Sequence, residues 1–246
     1  MTQVHDGFFS DRFAELKLDT KIDRAEDEAR WLLDFLPPRP VVSDLGCGCG
    51  RISIALAKQG ANVIGVDSNA GYLEIARQRA RTAGVAVEWR CATDLDMSDV
   101  AAFDGVVSLF TSFGYHDDDG TREVLRKIHR GLRPAGLLVI ETQNRDHASV
   151  WTVSATVERT PDGTEILKEY EFDPLTSRKT IRFRYLRDNK ITDGGRLKVR
   201  LFSAHELMIW LSEAGFCVEG LYGNSRGATF DPTGEKLVAV ARKVDG

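Results

Sequence analysis

Ten residues constrain this chain more than any others: Val41-Val42-Ser43-Asp44-Leu45-Gly46-Cys47-Gly48-Cys49-Gly50. A short apolar run carrying one inward acid breaks into a loop with glycine at every second position. The amphipathic run Arg51-Ile52-Ser53-Ile54-Ala55-Leu56-Ala57 follows at once. Such a pattern predicts a buried parallel strand, a tight turn and a helix, with glycines where side chains would block a ligand. About twenty residues on, Asn62-Val63-Ile64-Gly65-Val66 ends in Asp67. A carboxylate at the tip of the next strand is where a nucleoside's ribose hydroxyls are held.

The rhythm continues as strand, helix, strand. Strands are predicted at 41–45, 62–66, 86–90, 104–109 and 136–141, and helices near 51–59, 70–83 and 121–131. This alternation predicts a mostly parallel sheet with helices on both faces and ligands beyond the carboxyl ends of the strands. Upstream, residues 1–20 are aromatic and mixed-charge (Phe8, Phe9, Phe13), and Ile22 to Leu36 reads as a helix ended by Pro37-Pro38. Residues 1–36 have two readings, a packing helix or a helical lid with Arg24 near a ligand carboxylate.

Residues 151–202 change texture. They read as β segments between turn signals, a small antiparallel sheet inserted after the fifth strand to roof the substrate site. Within them Thr180 to Arg187 alternates between an apolar and a basic face. Arg182 and Arg184, with Arg178 or Lys198, would attract an acidic substrate; a solvated face or a dimer contact explains the same stripe. The pattern then resumes with Ser203 and Glu206 as a capping box, a helix over 204–214, and last strands at 216–222 and 236–242. The whole of 1–246 is expected to be a single domain.

Charge separates the candidate cofactors. A dinucleotide loop holds a pyrophosphate, but here Arg51 stands where its third glycine belongs and Asp44 lies beneath the loop. That acid would repel a pyrophosphate and attract a ligand bearing an ammonium and a sulfonium. S-adenosylmethionine has both and no phosphate.

With these residues in place, the chain resembles the class I S-adenosylmethionine-dependent methyltransferases from about Arg24 to Lys243. The resemblance rests on residues 42–51, Gly65-Val66-Asp67-Ser68, Phe103-Asp104-Gly105-Val106-Val107 and Leu132-Arg133-Pro134-Ala135-Gly136. It implies a Rossmann-like, seven-stranded α/β sheet whose last strand is antiparallel, with S-adenosylhomocysteine as product. By this likeness Gly46, Gly48 and Gly50 approach the methionine part, Asp67 with Ser68 binds the ribose, and Asp94-Leu95 is the candidate adenine site. Asp94 falls one residue late against the family pattern. Leu109 to His116 resembles the loop that closes over the methyl group in amino-sugar N-methylating enzymes, where a histidine stands in place of Tyr115.

Methyl transfer needs alignment and exclusion of water more than acid–base chemistry, although an amine or phenol must shed a proton. Tyr115, His116 and His147 are the candidates for assisting that step. His129 reads as a helix-end residue and His205 as surface or capping. Phe110, Phe113 and Trp151 are candidate pocket walls.

The expected function is transfer of a methyl group to N or O of a small molecule by in-line displacement. The alternatives are a methyltransferase acting on a peptide, protein or RNA, and a non-catalytic donor-binding scaffold. The net charge of −4 and the absence of an Asn-Pro-Pro-Tyr-like stretch argue against nucleic acid. Four cysteines form no disulfide framework or zinc spacing, so no metal is expected. No bilayer-length apolar run or signal pattern occurs, which places the expected protein in the cytoplasm without a membrane partner, with a homodimer as one option.

Overall fold

The computed structural model describes residues 5–6, 24–150, 153–160 and 162–244. Phe8, Phe9, Phe13, Ile22 and Trp151 lie outside them. Among the described residues the first helix, α1 (Ala25–Leu33), stops three residues before the expected end at Leu36. It is followed by β2 (Val41–Leu45), α2 (Arg51–Lys58), β3 (Asn62–Asp67), α3 (Ala70–Ala83), β4 (Glu88–Cys91), β5 (Phe103–Ser108), α4 (Asp118–Gly131) and β6 (Leu132–Gln143). β1 is the two-residue strand His5–Asp6. The α4 helix begins earlier than its apolar spacing suggested because the Asp117 side chain accepts the Gly120 N–H at 2.8 Å and caps it.

These strands form a seven-stranded sheet in the order β11-β12-β6-β5-β2-β3-β4, with β11 at Phe216–Tyr222 and β12 at Lys236–Lys243. The pairs β2–β3, β2–β5, β3–β4 and β5–β6 are parallel, whereas β12 runs antiparallel to β6 and β11. Alternate side chains feed two cores. Val42, Val107, Val139 and Val240 pack against α1 and α2 through Ala29, Leu32 and Leu56. On the other face Leu45, Val106, Leu138 and Ile140 meet Leu125 and Ile128 of α4 and Leu207 and Leu211 of α6 (Ala204–Glu213). Burial on both faces explains why these strands read as continuous apolar runs.

After β6 comes α5 (Arg145–Val150), a helix that the sequence pattern did not announce. Then β7 (Ala155–Arg159), β8 (Glu165–Asp173), β9 (Arg178–Arg187) and β10 (Lys190–Arg200) form an antiparallel sheet, with β1 on its β10 edge. Ile166, Phe183, Tyr185 and Leu197 on one face of this sheet pack with Tyr115. Arg182 and Arg184 alternate with Phe183 and Tyr185, so the basic stripe lies on the opposite face, where Arg184 pairs with Glu169 at 2.7 Å. Arg182 and Arg184 are thus turned away from Tyr115, whereas Arg178 at the start of β9 donates to the His116 carbonyl at 3.0 Å. Among the described residues no helix is long and apolar enough to cross a membrane.

Candidate active site

The loop after β2 is tied to the end of β3. The N–H groups of Gly46 and Cys47 both donate to the Val66 carbonyl, at 2.8 and 3.0 Å. Asp67 then joins loop to helix: Oδ2 accepts the Gly48 N–H at 2.9 Å and Oδ1 the Asn69 N–H at 2.8 Å. Gly46 and Gly50 have φ of +73° and +79°. A Cβ on Gly46 would lie 2.5 Å from Ser112 Cβ, and one on Gly50 2.6 Å from the Trp89 ring. At these two positions the crowding comes from the chain itself. Ser112 and Trp89 thus fill the space that the glycine spacing alone assigns to a ligand.

Asp44 is 3% exposed and accepts the Ser53 hydroxyl at 2.6 Å. Burial pushes its pKa from 3.8 to about 6, against the Ser53 hydrogen bond and the nearby Arg51 charge. It lines a hollow with Cys47, Gly48, Arg51 and Phe110. A second hollow is lined by Asp67, Ser68, Asp94, Tyr115 and His116. Gly46 and Ser112 line both, so the two are neighbours. Three carboxylates, Asp44, Asp67 and Asp94, thus face adjoining hollows.

The wall between strand β5 and helix α4 is unusual backbone. Phe110 and Thr111 both sit in the left-handed region, at φ +61° and +60°. Each such residue costs on the order of 1 kcal/mol or more and persists only where neighbours impose it. Here the Thr111 N–H donates to the Glu141 carbonyl at 3.1 Å, and the Ser112 hydroxyl to the Leu109 carbonyl at 2.8 Å. The Phe110 ring lies 4.9 Å from the Arg51 guanidinium and 5.2 Å from the Lys236 ammonium. Arg51 is also ion-paired with buried Glu28 of α1. Farther along the loop, burial pushes the Tyr115 hydroxyl pKa up, so it is a neutral phenol at physiological pH. His116 Nε2 lies 2.6 Å from Asp94 Oδ1, and this hydrogen bond raises the histidine pKa.

Of the residues singled out in the sequence, Asp44, Gly46, Gly48, Asp67, Ser68, Asp94, Phe110, Tyr115 and His116 line these hollows. Gly50 sits behind the loop, at the N-cap of α2 against Trp89. Arg24, Leu95 and His147 are not part of either lining. Arg24 is exposed at the start of α1. The Leu95 side chain packs toward the core, and His147 Nδ1 lies 2.8 Å from the Thr233 carbonyl. Sequence reading missed Ser112 and the part played by Arg51, which it noted only as the residue replacing a dinucleotide glycine. The sequence marks Ser112 only as one member of the loop Leu109 to His116, and its partner Gly46 is 66 residues away.

Comparison with known proteins bears on the domain and its fold. Residues 42–136 match the family model described as a methyltransferase domain. The chain is 36% identical over 107 residues to the ubiquinone biosynthesis O-methyltransferase of Pseudomonas aeruginosa, which covers 43% of this chain and 45% of that enzyme. It therefore spans less than half the length of that relative. Among solved structures, the CcbJ methyltransferase of Streptomyces caelestis superposes with a TM-score of 0.80 at 20% identity over 90% of both chains. The S-adenosylmethionine-bound amino pentose methyltransferase CalS10 of Micromonospora echinaspora superposes with a TM-score of 0.70 at 18% identity over 92% of each. The Rossmann-like methyltransferase fold expected from the sequence is borne out.

Proposed function

We propose, from the premise that residues 42–136 carry a methyltransferase domain with S-adenosylmethionine as its cofactor, that this protein methylates N or O of a small molecule. The observation that carries the reading is the row of three carboxylates, Asp44, Asp67 and Asp94, along adjoining hollows at the carboxyl ends of the strands. Such a wall repels phosphate and favours a cationic, phosphate-free nucleoside. The bound donor supplies an electrophilic methyl group on a positively charged sulfur.

The residues divide the work by position. Asp67, oriented by two backbone N–H groups, accepts hydrogen bonds from the ribose hydroxyls. Gly46 and Gly48 pass along the methionine part, and Asp44 beneath them balances its ammonium and sulfonium charges. Asp94 takes the adenine end. Phe110 and Tyr115 form the acceptor side, where they exclude water and hold the incoming lone pair in line with the methyl group. Tyr115, being protonated, orients an acceptor by hydrogen bonding instead of serving as a ready-made base. His147 takes no part in this arrangement.

A small acceptor is favoured by the inserted sheet, whose apolar face meets Tyr115 and leaves its basic stripe on the far side. The amino pentose methyltransferase and the ubiquinone biosynthesis enzyme among the similar proteins point the same way.

S-adenosylhomocysteine should raise the melting temperature while NAD does not. A ligand at a hundred times its Kd stabilises by about 2.7 kcal/mol. Asp67→Ala should lose most of that shift, and an unchanged shift would contradict the ribose assignment. Formation of S-adenosylhomocysteine with a metabolite pool, but not with RNA or protein pools, is the expected outcome for the acceptor class. Turnover confined to a macromolecular pool would overturn it.

A further inference from the structure

We propose that His116 is a positioning residue for donor recognition: it fixes Asp94 so that one carboxylate oxygen faces the adenine amino group, and Arg178 of the inserted sheet holds His116 in place. The inference rests on the donor reading above and reassigns a histidine that the sequence offered as a base.

Asp94 stands on a short turn, Asp94–Asp96, closed by a capping box between Thr93 and Asp96. Its backbone is therefore fixed, and its carboxylate retains side-chain freedom. Two donors remove that freedom. Oδ1 accepts the Leu95 N–H at 3.0 Å and lies 2.6 Å from His116 Nε2. A carboxylate only accepts, so Nε2 carries the proton and the bond is charge-assisted on the acceptor side. Oδ2 takes no hydrogen bond from any described residue, and Asp94 lines the hollow that also holds Asp67. Both side chains are largely withdrawn from water, at 21% and 28% exposed, which strengthens the contact.

His116 is itself anchored from outside the nucleoside-binding sheet. Arg178, at the start of β9 and 13% exposed, donates from Nη1 to the His116 carbonyl at 3.0 Å and from Nη2 to Asp118 Oδ1 at 2.8 Å. The guanidinium thus clamps the segment joining the β5 loop to α4. The inserted sheet reaches the adenine end of the donor hollow through this residue.

Adenine presents an amino group to a carboxylate oxygen. Hypoxanthine presents a carbonyl at the same position, which sets lone pair against lone pair. A site built to accept a particular N–H rejects the analogue lacking it, because its own polar group is left unpaired. The discriminating experiment is calorimetric titration of the full chain with S-adenosylhomocysteine and with S-inosylhomocysteine. The unaltered protein should prefer the adenine ligand by about a hundredfold. His116→Ala should cut that preference about tenfold by weakening the adenine ligand alone. His116→Gln, which keeps an N–H donor, should restore most of it, and Arg178→Met should shift the preference in the same direction as His116→Ala but by less. Equal loss of both ligands in His116→Ala, or an unchanged preference, would overturn the inference. An unaltered chain that binds the adenine ligand without preferring it would overturn the inference alone. Failure to bind S-adenosylhomocysteine at all would overturn the donor reading and this inference with it.

Discussion

Asp44 shows how one buried acid sets a pH dependence. In the free chain its pKa of about 6 lies above its ordinary 3.8, because burial disfavours the charged form. The fold therefore favours protonated Asp44; this contribution to stability is fullest below pH 3.8 and is lost as pH climbs to 6. A cationic ligand asks for the opposite state. Donor affinity should consequently rise with pH through 6 and be about tenfold weaker at pH 5 than at 7.5, as titration would show. Asp44→Asn should remove most of that dependence and hold affinity at the weaker level. A steep dependence surviving in that variant would detach Asp44 from the donor. Sequence alone placed Asp44 under the loop, yet its raised pKa comes from burial in the folded chain, which outweighs the opposing Ser53 hydrogen bond.

At the level of elements, the segment Leu109 to Asp117 joins the two sheets. Gly114 lies at φ +100°, and its carbonyl accepts the Arg200 N–H at 2.8 Å from the end of β10. A Cβ there would come within 2.6 Å of the Arg200 carbonyl oxygen. Gly114→Ala should cost on the order of 2 kcal/mol in urea unfolding. It should also weaken S-adenosylhomocysteine binding, because Tyr115 and His116 move with the loop; unaltered binding would separate the loop from the donor site. Other elements were legible from end to end. Helix α3 spans the expected 70–83, with the Asn69 side chain capping it through the Tyr72 N–H. The expected capping box at α6 formed only in half. Ser203 accepts the Glu206 N–H at 3.2 Å, but the Glu206 carboxylate pairs with Arg200 instead of turning back. A nearby guanidinium outcompeted the local contact.

Across the whole molecule, distant segments meet beside the glycine loop. Glu28 of α1 pairs with Arg51 of α2, and its other oxygen accepts the Ser225 hydroxyl at 3.1 Å from the loop before β12. The Glu28 and Arg51 side chains are 6% and 11% exposed, so removing one charge strands the other in a poorly solvated place. Glu28→Gln should therefore lower unfolding stability by about 3 kcal/mol, with the denaturant slope unchanged. A loss below about 0.5 kcal/mol would show the pair to be no better than a surface ion pair.

The chain's own order of residues determined the strand–helix alternation, the glycine loop and the acids at strand ends. Those features follow from periodicity and spacing over a few residues, which local sterics and burial dictate. Tertiary structure alone decided that His116 meets Asp94 22 residues away, Arg178 the His116 carbonyl across 62, and Ser225 Glu28 across 197. It likewise turned Arg182 and Arg184 of β9 outward and left His147 outside both hollows. Polar side chains find partners by proximity after the sheets have packed, and no local period encodes which distant group will be near.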